Sequence, residues 1–348
     1  MPVRHGPSNP HTHTVIAPPA RRRFLGQLGG ASLMLTAPAA WLVAPSAHAQ
    51  AYPARPIKIT IAFPPGGSTD VLTRVLGEAL GKALGQPVVV DNRPGAGGMI
   101  GLEVAAKSAP DGYGLFLCAL TNQSIASHLY PNTRTDIERN FAPISLVASA
   151  PHVLIVNPQV PARTMPELVA WLKANHGKIN YASQGNGTLS HLESVLFTQK
   201  VGVDVTHIPY KGSALALPDV IAGTCSFMFD SVSASLNLIK SGKVRALAVV
   251  AAQRVTSLPD VPTMVEAGVP GYDVENWFGL YAPKGTPPAI LARLDEAMRG
   301  VLAQADIQAS LLQKGYVINY GGPARLAAVT QADRTLWGGV VKAANVTI

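Results

Sequence analysis

The residues of this sequence best suited to chemistry sit in glycine-rich turns, each following a β-branched run and opening an apolar helical pattern. The first is FPPGGSTD, residues 63–70. Gly66 and Gly67 let backbone N–H groups approach a ligand closely, and Ser68 or Thr69 can cap the helix that follows. A helix start carries about half a positive charge, which suits a carboxylate or a phosphate. Asp70 opposes an anionic guest there; it either complements the helix dipole or faces a ligand ammonium. A tight, well-capped turn with no ligand explains this loop equally well. The second turn is NRPGAGGMIG, residues 92–101, where Gly95, Gly97 and Gly101 are spaced roughly like a dinucleotide fingerprint. Its third glycine is a residue late, Arg93-Pro94 interrupts the turn, and Asp111 falls in a Pro-Asp-Gly turn before the next strand. Close backbone packing around a cleft is the better use.

The third turn, YASQGNGTLSHL (181–192), places Gly185, Asn186 and Gly187 between a strand and a helix. Thr188 can cap that helix and His191 lies in its first turn, where a lone histidine more often packs or caps than catalyses. The fourth region, HIPYKGSA (207–214), is followed by FMFDS (227–231). Lys211 can meet an anion just before a helix start, and Asp230 closes a strand and precedes another helix. The chain has no G-x-S-x-G nucleophile elbow, and no spacing singles out a Ser–His–Asp triad.

The elements that must hold these turns alternate. Strands are expected at 57–63, 88–90, 115–120, 180–183, 205–209, 226–229, 245–250 and 276–282, with a short one at 317–319. Helical spacing is expected at 71–84, 98–108, 165–175, 189–200, 214–222, 234–241, 289–304, 307–314 and 324–344. Such alternation implies α/β architecture with parallel sheets covered on both faces. There are too many strands for one comfortable sheet. The apolar stretches 144–156 and 276–282 read as connections between two lobes, so that the chain leaves the first near residue 150 and returns near 275. The informative turns then fall at the carboxyl ends of parallel strands, two from one lobe and three from the other, where open α/β sheets bind ligands. A ligand there meets several helix starts and needs no nucleophile, metal or cofactor.

Composition narrows the partners. Only 14% of the 348 residues are charged and 47% are hydrophobic, which excludes a mainly disordered chain. Residues 1–49 hold four arginines and no acid; the remainder carries 24 basic against 20 acidic residues, a net charge of +4 with no nucleic-acid stripe. Two cysteines build neither a disulfide scaffold nor a zinc site. Arg21-Arg22-Arg23-Phe24-Leu25, an uncharged run from Phe24 to Ala49 and the Ala47-His48-Ala49 cleavage pattern predict a twin-arginine-like signal peptide over 1–49. Glycines and prolines make the run a poor permanent anchor.

The motifs FPPGGSTDVLTR (63–74), NRPGAGG (92–98), PDGYGL (110–115), YASQGNGTLSHL, HIPYKGSA, GKVRALAV (242–249), LPDVPTMVEAGVPGY (258–272) and KGTPPAIL (284–291) are familiar together. In this order, over nearly all of 52–345, the chain resembles the substrate-binding receptors of tripartite tricarboxylate transporters, the Bug family. The resemblance implies a two-lobed periplasmic-binding-protein fold of type II, each lobe a mostly parallel sheet flanked by helices, with crossover strands at a hinge. Lobe one would comprise 50–149 and 276–348, lobe two 150–275. It implies a periplasmic receptor, not an enzyme, that needs no cofactor or metal and passes a small carboxylate to membrane permease subunits, acting as a monomer. Carried onto this chain, the ligand-binding residues are Phe63, Gly66, Gly67, Ser68 and Asp70, with Gly185, Asn186, Thr188 and His191 opposite. Thr121, Lys211, Gly212 and Asp230 join them. Gly114 stands where the family usually has Thr, and Cys118 and Cys225 read as buried free thiols. Two other readings share these residues: an NAD(P)-dependent oxidoreductase using the Gly95–Gly101 turn, and a sensor receptor using the same cleft.

Overall fold

The computed structural model describes residues 52–130, 132–272 and 274–347; the expected leader and its cleavage site lie outside them. The chain begins β1 (Ile57–Ile61), α1 (Ser68–Leu84), β2 (Val88–Asn92), a 3-10 turn (Ala96–Gly98), α2 (Met99–Ala106), β3 (Gly114–Ala119), α3 (Leu120–Leu129), α4 (Ile137–Asn140) and β4 (Phe141–Ser149). Beyond Pro151 follow β5 (His152–Val156), α5 (Met165–Ala174), β6 (Asn180–Ser183), α6 (Leu189–Val201), β7 (Thr206–Pro209), α7 (Ser213–Ala222), β8 (Phe227–Ser231), α8 (Val232–Lys240) and β9 (Arg245–Val250). The chain ends with β10 (Trp277–Pro283), α9 (Pro288–Leu302), α10 (Ala305–Gln313), β11 (Val317–Gly321) and α11 (Pro323–Ala343).

Two sheets result, ordered β11-β4-β10-β3-β1-β2 and β7-β6-β8-β5-β9. This is the two-lobed α/β architecture expected: four of the six strands of the first sheet and four of the five of the second run the same way, with β10, β11 and β5 reversed. β1 pairs in parallel with β2 and β3, and β6 with β7 and β8. β10 runs antiparallel to β3 and β4, β11 to β4, and β5 to β8 and β9. The reason is directional. Strands that end in a cleft-facing turn run toward the junction of the lobes; β5 and β10, which enter a lobe from that junction, must run away from it. The two crossings touch, the Ala150 N–H donating to the Asn276 carbonyl at 3.0 Å.

Burial explains why the elements hold. Ile57, Ile59 and Ile61 of central β1 are fully buried, and α1 lays Leu72, Leu76, Leu80 and Leu84 on the sheet at four-residue spacing. Each such side chain contributes roughly 1.5–3 kcal/mol by leaving water. Gly85, at φ 70°, closes α1 in the left-handed region. Helix α3 is the element the pattern hides, since Leu120 reads as the end of a strand. Every residue from Leu120 to Ala126 is buried, so no polar face marks a 3.6-residue period. Cys118 and Cys225 are buried free thiols.

Candidate ligand-binding site

The turns after β1, β2, β6 and β7 converge between the two sheets. They enclose two adjoining cavities that share Phe63 and Gln184. The inner one, about 10 Å³, is bounded by Gly67, Ser68 and Thr69 at the start of α1 and by Gly212 and Ser213 at the start of α7, with Asn122 alongside. That is room for about one water. The outer one, about 190 Å³, is lined by Gly95–Gly98, Tyr130, Gly185, Asn186, Tyr210 and Lys211 among others. Larger surface grooves exist, such as one of about 770 Å³ between α1 and β2. That groove has no converging helix starts, and chemistry rather than size singles out the site.

Glycine brings the walls this close. A Cβ at Gly97, where φ is 61°, would stand 2.7 Å from the Asn186 carbonyl oxygen of the other lobe. One at Gly212, φ 127°, would stand 2.8 Å from the Pro64 ring. Both are backbones that side chains disfavour and contacts they would block. The Gly95–Gly101 run therefore serves lobe contact and, at Gly101 against Ala62 of the loop after β1, close packing of α2.

Of the expected residues, Phe63, Gly67, Ser68, Gly185, Asn186, Lys211 and Gly212 line these cavities, and Gly66 faces Ala214 across the gap. Five stand behind the walls. Asp70 accepts from the Gly66 N–H at 3.0 Å, from the Asn92 amide at 3.0 Å and from Arg74 at 2.9 Å, so it pins the glycine turn from beneath. Burial raises the pKa of Asp70, but the hydrogen bonds from Arg74, Gly66 and Asn92 and the Arg74 charge outweigh it, and the net shift is downward. Asp230 is fully buried and accepts from Gln184 at 2.8 Å and Ser213 at 2.6 Å, tying the β6, β7 and β8 turns together. Thr188 caps α6, accepting from the His191 N–H. His191 Nδ1 accepts from the Gly187 N–H at 3.3 Å, and its ring stacks on His207 at 4.2 Å. Burial pushes His191 down to about 4 and His207 to about 3, so both are neutral shapers of the loop. Thr121 lies at the hinge, 2.8 Å from Asp333 and 3.0 Å from the Glu275 carbonyl, and not on a cavity wall.

Sequence reasoning missed Asn122, Tyr130, Gln184 and Ser213 on the walls. Gln184 and Ser213 sit inside turns already singled out, one residue from a chosen glycine. Asn122 and Tyr130 belong to α3 and its end, which gave no periodic signal. Asn122 Oδ1 accepts from the Leu189 N–H at 2.7 Å, a link between lobes made by a residue that also lines the inner cavity.

The arrangement is that of a two-lobed solute-binding receptor, with helix starts from both lobes aimed at one enclosed space. The model of the tripartite tricarboxylate transporter family receptor matches residues 72–346, and the chain belongs to that family. It is similar to the protein BugT of Bordetella pertussis, with 37% identity over 301 residues, 86% of this chain and 92% of that one. It is also similar to the solved periplasmic binding protein BugD, with 36% identity, a TM-score of 0.80 and coverage of 85% of this chain and 99% of that one. The solved MatC of Rhodopseudomonas palustris, with bound malate, shares 31% identity at a TM-score of 0.78, covering 83% of this chain and all of that one. The family is one of receptors rather than enzymes, which removes the oxidoreductase reading.

Proposed function

We propose that this receptor captures a small carboxylate-bearing solute between lobe one (50–149 with 276–348) and lobe two (150–275) and hands it to the permease subunits of a tripartite tricarboxylate-type transporter. The observation that carries this is the inner cavity, where the starts of α1 and α7 meet beside Asn122 and Gln184. Two partial positive ends and their backbone N–H groups suit a carboxylate, held directly or through one water. The outer cavity takes the remainder of the ligand, with Lys211 at its rim as a cation for a second acidic group. Malate in the related MatC and the periplasmic setting of BugD support this chemistry and location. The leader expected over 1–49, cleaved after Ala49, fits the same compartment. The receptor works as a monomer, and closure is a population shift driven by tighter binding to the closed state.

A thermal-shift panel of dicarboxylates, tricarboxylates, aromatic acids and acidic amino acids tests the reading. A ligand at a hundredfold excess over its Kd adds about 2.7 kcal/mol, a shift of the melting midpoint that grows with the logarithm of concentration. No shift with any member of the panel overturns it.

A further inference from the structure

A chain of buried polar side chains runs from the inner cavity back to an ionisable pair. Ser68, on the cavity wall, lies 3.2 Å from the Ser231 hydroxyl of the other lobe. The Ser231 hydroxyl is also 3.2 Å from His152 Nε2, and His152 Nδ1 is 2.7 Å from Glu193 Oε2. Exposure is 8% at Ser68, 0% at Ser231 and 1% at both His152 and Glu193, so bulk water does not compete. Asn276, at the return crossing, brings its amide to 3.3 Å from the same Nε2. The pair is approached by β8 through Ser231 and by β9 through apolar Val250. The Tyr272 hydroxyl donates to the Glu193 carbonyl. The ionisable groups acting on each partner are the other partner and Asp230. On the α1 side stands Ser68, whose neighbour Asp70 is already paired with Arg74.

Ser231 has one hydrogen and two claimants. A bare His152 Nε2 is an acceptor and draws that hydrogen away from the cavity. An Nε2–H instead donates to Ser231, whose hydrogen then goes to Ser68. Ser68, with a lone pair engaged, turns its own O–H toward the cavity, where a carboxylate accepts it. What matters is the proton count of the pair and not its division. Imidazolium with carboxylate, and imidazole with carboxylic acid, both leave a hydrogen on Nε2. Asn276 gives an independent indication. Its Oδ1 is buried without a partner, and turning the amide over sets that oxygen beside the same Nε2–H, which it then shares with Ser231 as a second acceptor.

We propose that His152 is a positioning residue for anion capture: a proton held by the His152–Glu193 pair sets the direction of the Ser231–Ser68 hydrogen bonds, so binding takes up a proton whenever the pair lacks one. This rests on the reading of the cleft as a carboxylate site. Burial lowers His152, but the charge and hydrogen bond of Glu193 outweigh it and the net shift is upward. Burial also raises Glu193, against the pull of His152. The pair therefore keeps its proton above the ordinary histidine value of about 6.5.

The test is calorimetric titration with L-malate from about pH 6.5 to 9, where ordinary carboxyls of pKa about 4 are already ionised. Each titration is run in two buffers of different ionisation enthalpy. The expected result is an affinity that falls with pH, approaching tenfold per unit on the alkaline side, with about one proton taken up there. His152→Gln, which has no titrating proton, flattens the profile, its melting midpoint reporting that it folds. Ser231→Ala breaks the relay while leaving the pair intact and flattens it too. A flat wild-type profile without proton uptake overturns the proposal, as does a wild-type slope retained by either variant. If malate binds without proton uptake, only this inference falls; if malate and every other member of the carboxylate panel fail to bind, the reading of the cleft falls with it.

Discussion

At the residue scale, two buried aspartates have opposite linkage to pH. Asp70 is stabilised as a carboxylate, so its folded pKa lies below the unfolded value of about 3.9. Its contribution is present above that value and is lost as pH falls through the folded pKa. Asp70→Asn removes the anchor under Gly66 and should cost about 1–3 kcal/mol at pH 7. Urea unfolding checks this, and the deficit against wild type should shrink as the pH approaches about 3. Asp333 behaves the other way. Burial lifts it to about 6, with the Thr121 hydrogen bond opposing and the Glu275 charge adding to the rise. Its stabilisation is complete below the unfolded value of about 3.9 and is lost as pH rises through about 6. Thr121 shows why a proton belongs there. Its hydroxyl accepts from the Trp277 N–H at 3.3 Å and has one hydrogen to divide between the Asp333 carboxylate at 2.8 Å and the Glu275 carbonyl at 3.0 Å, so the charged form of Asp333 is left under-satisfied. Asp333→Asn keeps a donor and loses the charge. Its unfolding free energy should exceed that of wild type at pH 8 and match it near pH 4; a constant difference across that range would refute the assignment. The role of Asp333 was invisible in the sequence because it is set by a distant partner: Thr121 meets Asp333 across 212 positions.

At the element scale, what was legible is what is local. A glycine at a positive φ, a β-branched run or a four-residue leucine spacing declares itself within a few residues. The turns after β1, β6 and β7 could therefore be found without coordinates. Helix α3 could not, because LTNQSIASHL is buried on all sides of its first two turns and its polar residues serve the hinge and the cleft rather than solvent. Nor could the mixed pairing of the sheets, which follows from where the chain crosses between lobes and not from any strand's own composition. The Gly95–Gly98 run shows how one motif admits two elements. As a spacing it resembles a phosphate loop; as a structure it is a 3-10 turn whose Gly97 touches the opposite lobe. Gly97→Ala places a methyl 2.7 Å from the Asn186 carbonyl oxygen and holds the lobes apart. Its own left-handed backbone costs only about 1–2 kcal/mol. The expected outcome is a melting midpoint close to wild type without ligand and malate affinity reduced at least tenfold by calorimetry. Unchanged affinity would mean that capture does not require this contact.

At the scale of the whole molecule, the lobes meet through contacts that seal the inner cavity: Ser231 on Ser68, Asn122 on the Leu189 N–H, and Gly212 against Pro64. A space of about 10 Å³ behind them admits no solute unless the lobes first part. The two crossings, joined between Ala150 and Asn276, are the short segments about which they can do so. Opening breaks the sealing contacts and parts the small apolar cluster in which Leu189 and Leu192 of α6 pack with Ile125, Trp337 and Val341, while each lobe's own sheet core stays intact, so the barrier is that of a hinge and not of unfolding. Saturating malate should then lower the radius of gyration measured by small-angle scattering, by on the order of 1 Å from about 19 Å for a folded chain of about 300 residues. The fluorescence of Trp277, the first residue after the return crossing, should change over the same concentration range. Gly97→Ala should keep the larger radius at malate concentrations that close the wild type. Thermal stabilisation by malate with an unchanged scattering curve would show that the ligand enters and is held without closure, and the hinge would lose its place in the mechanism.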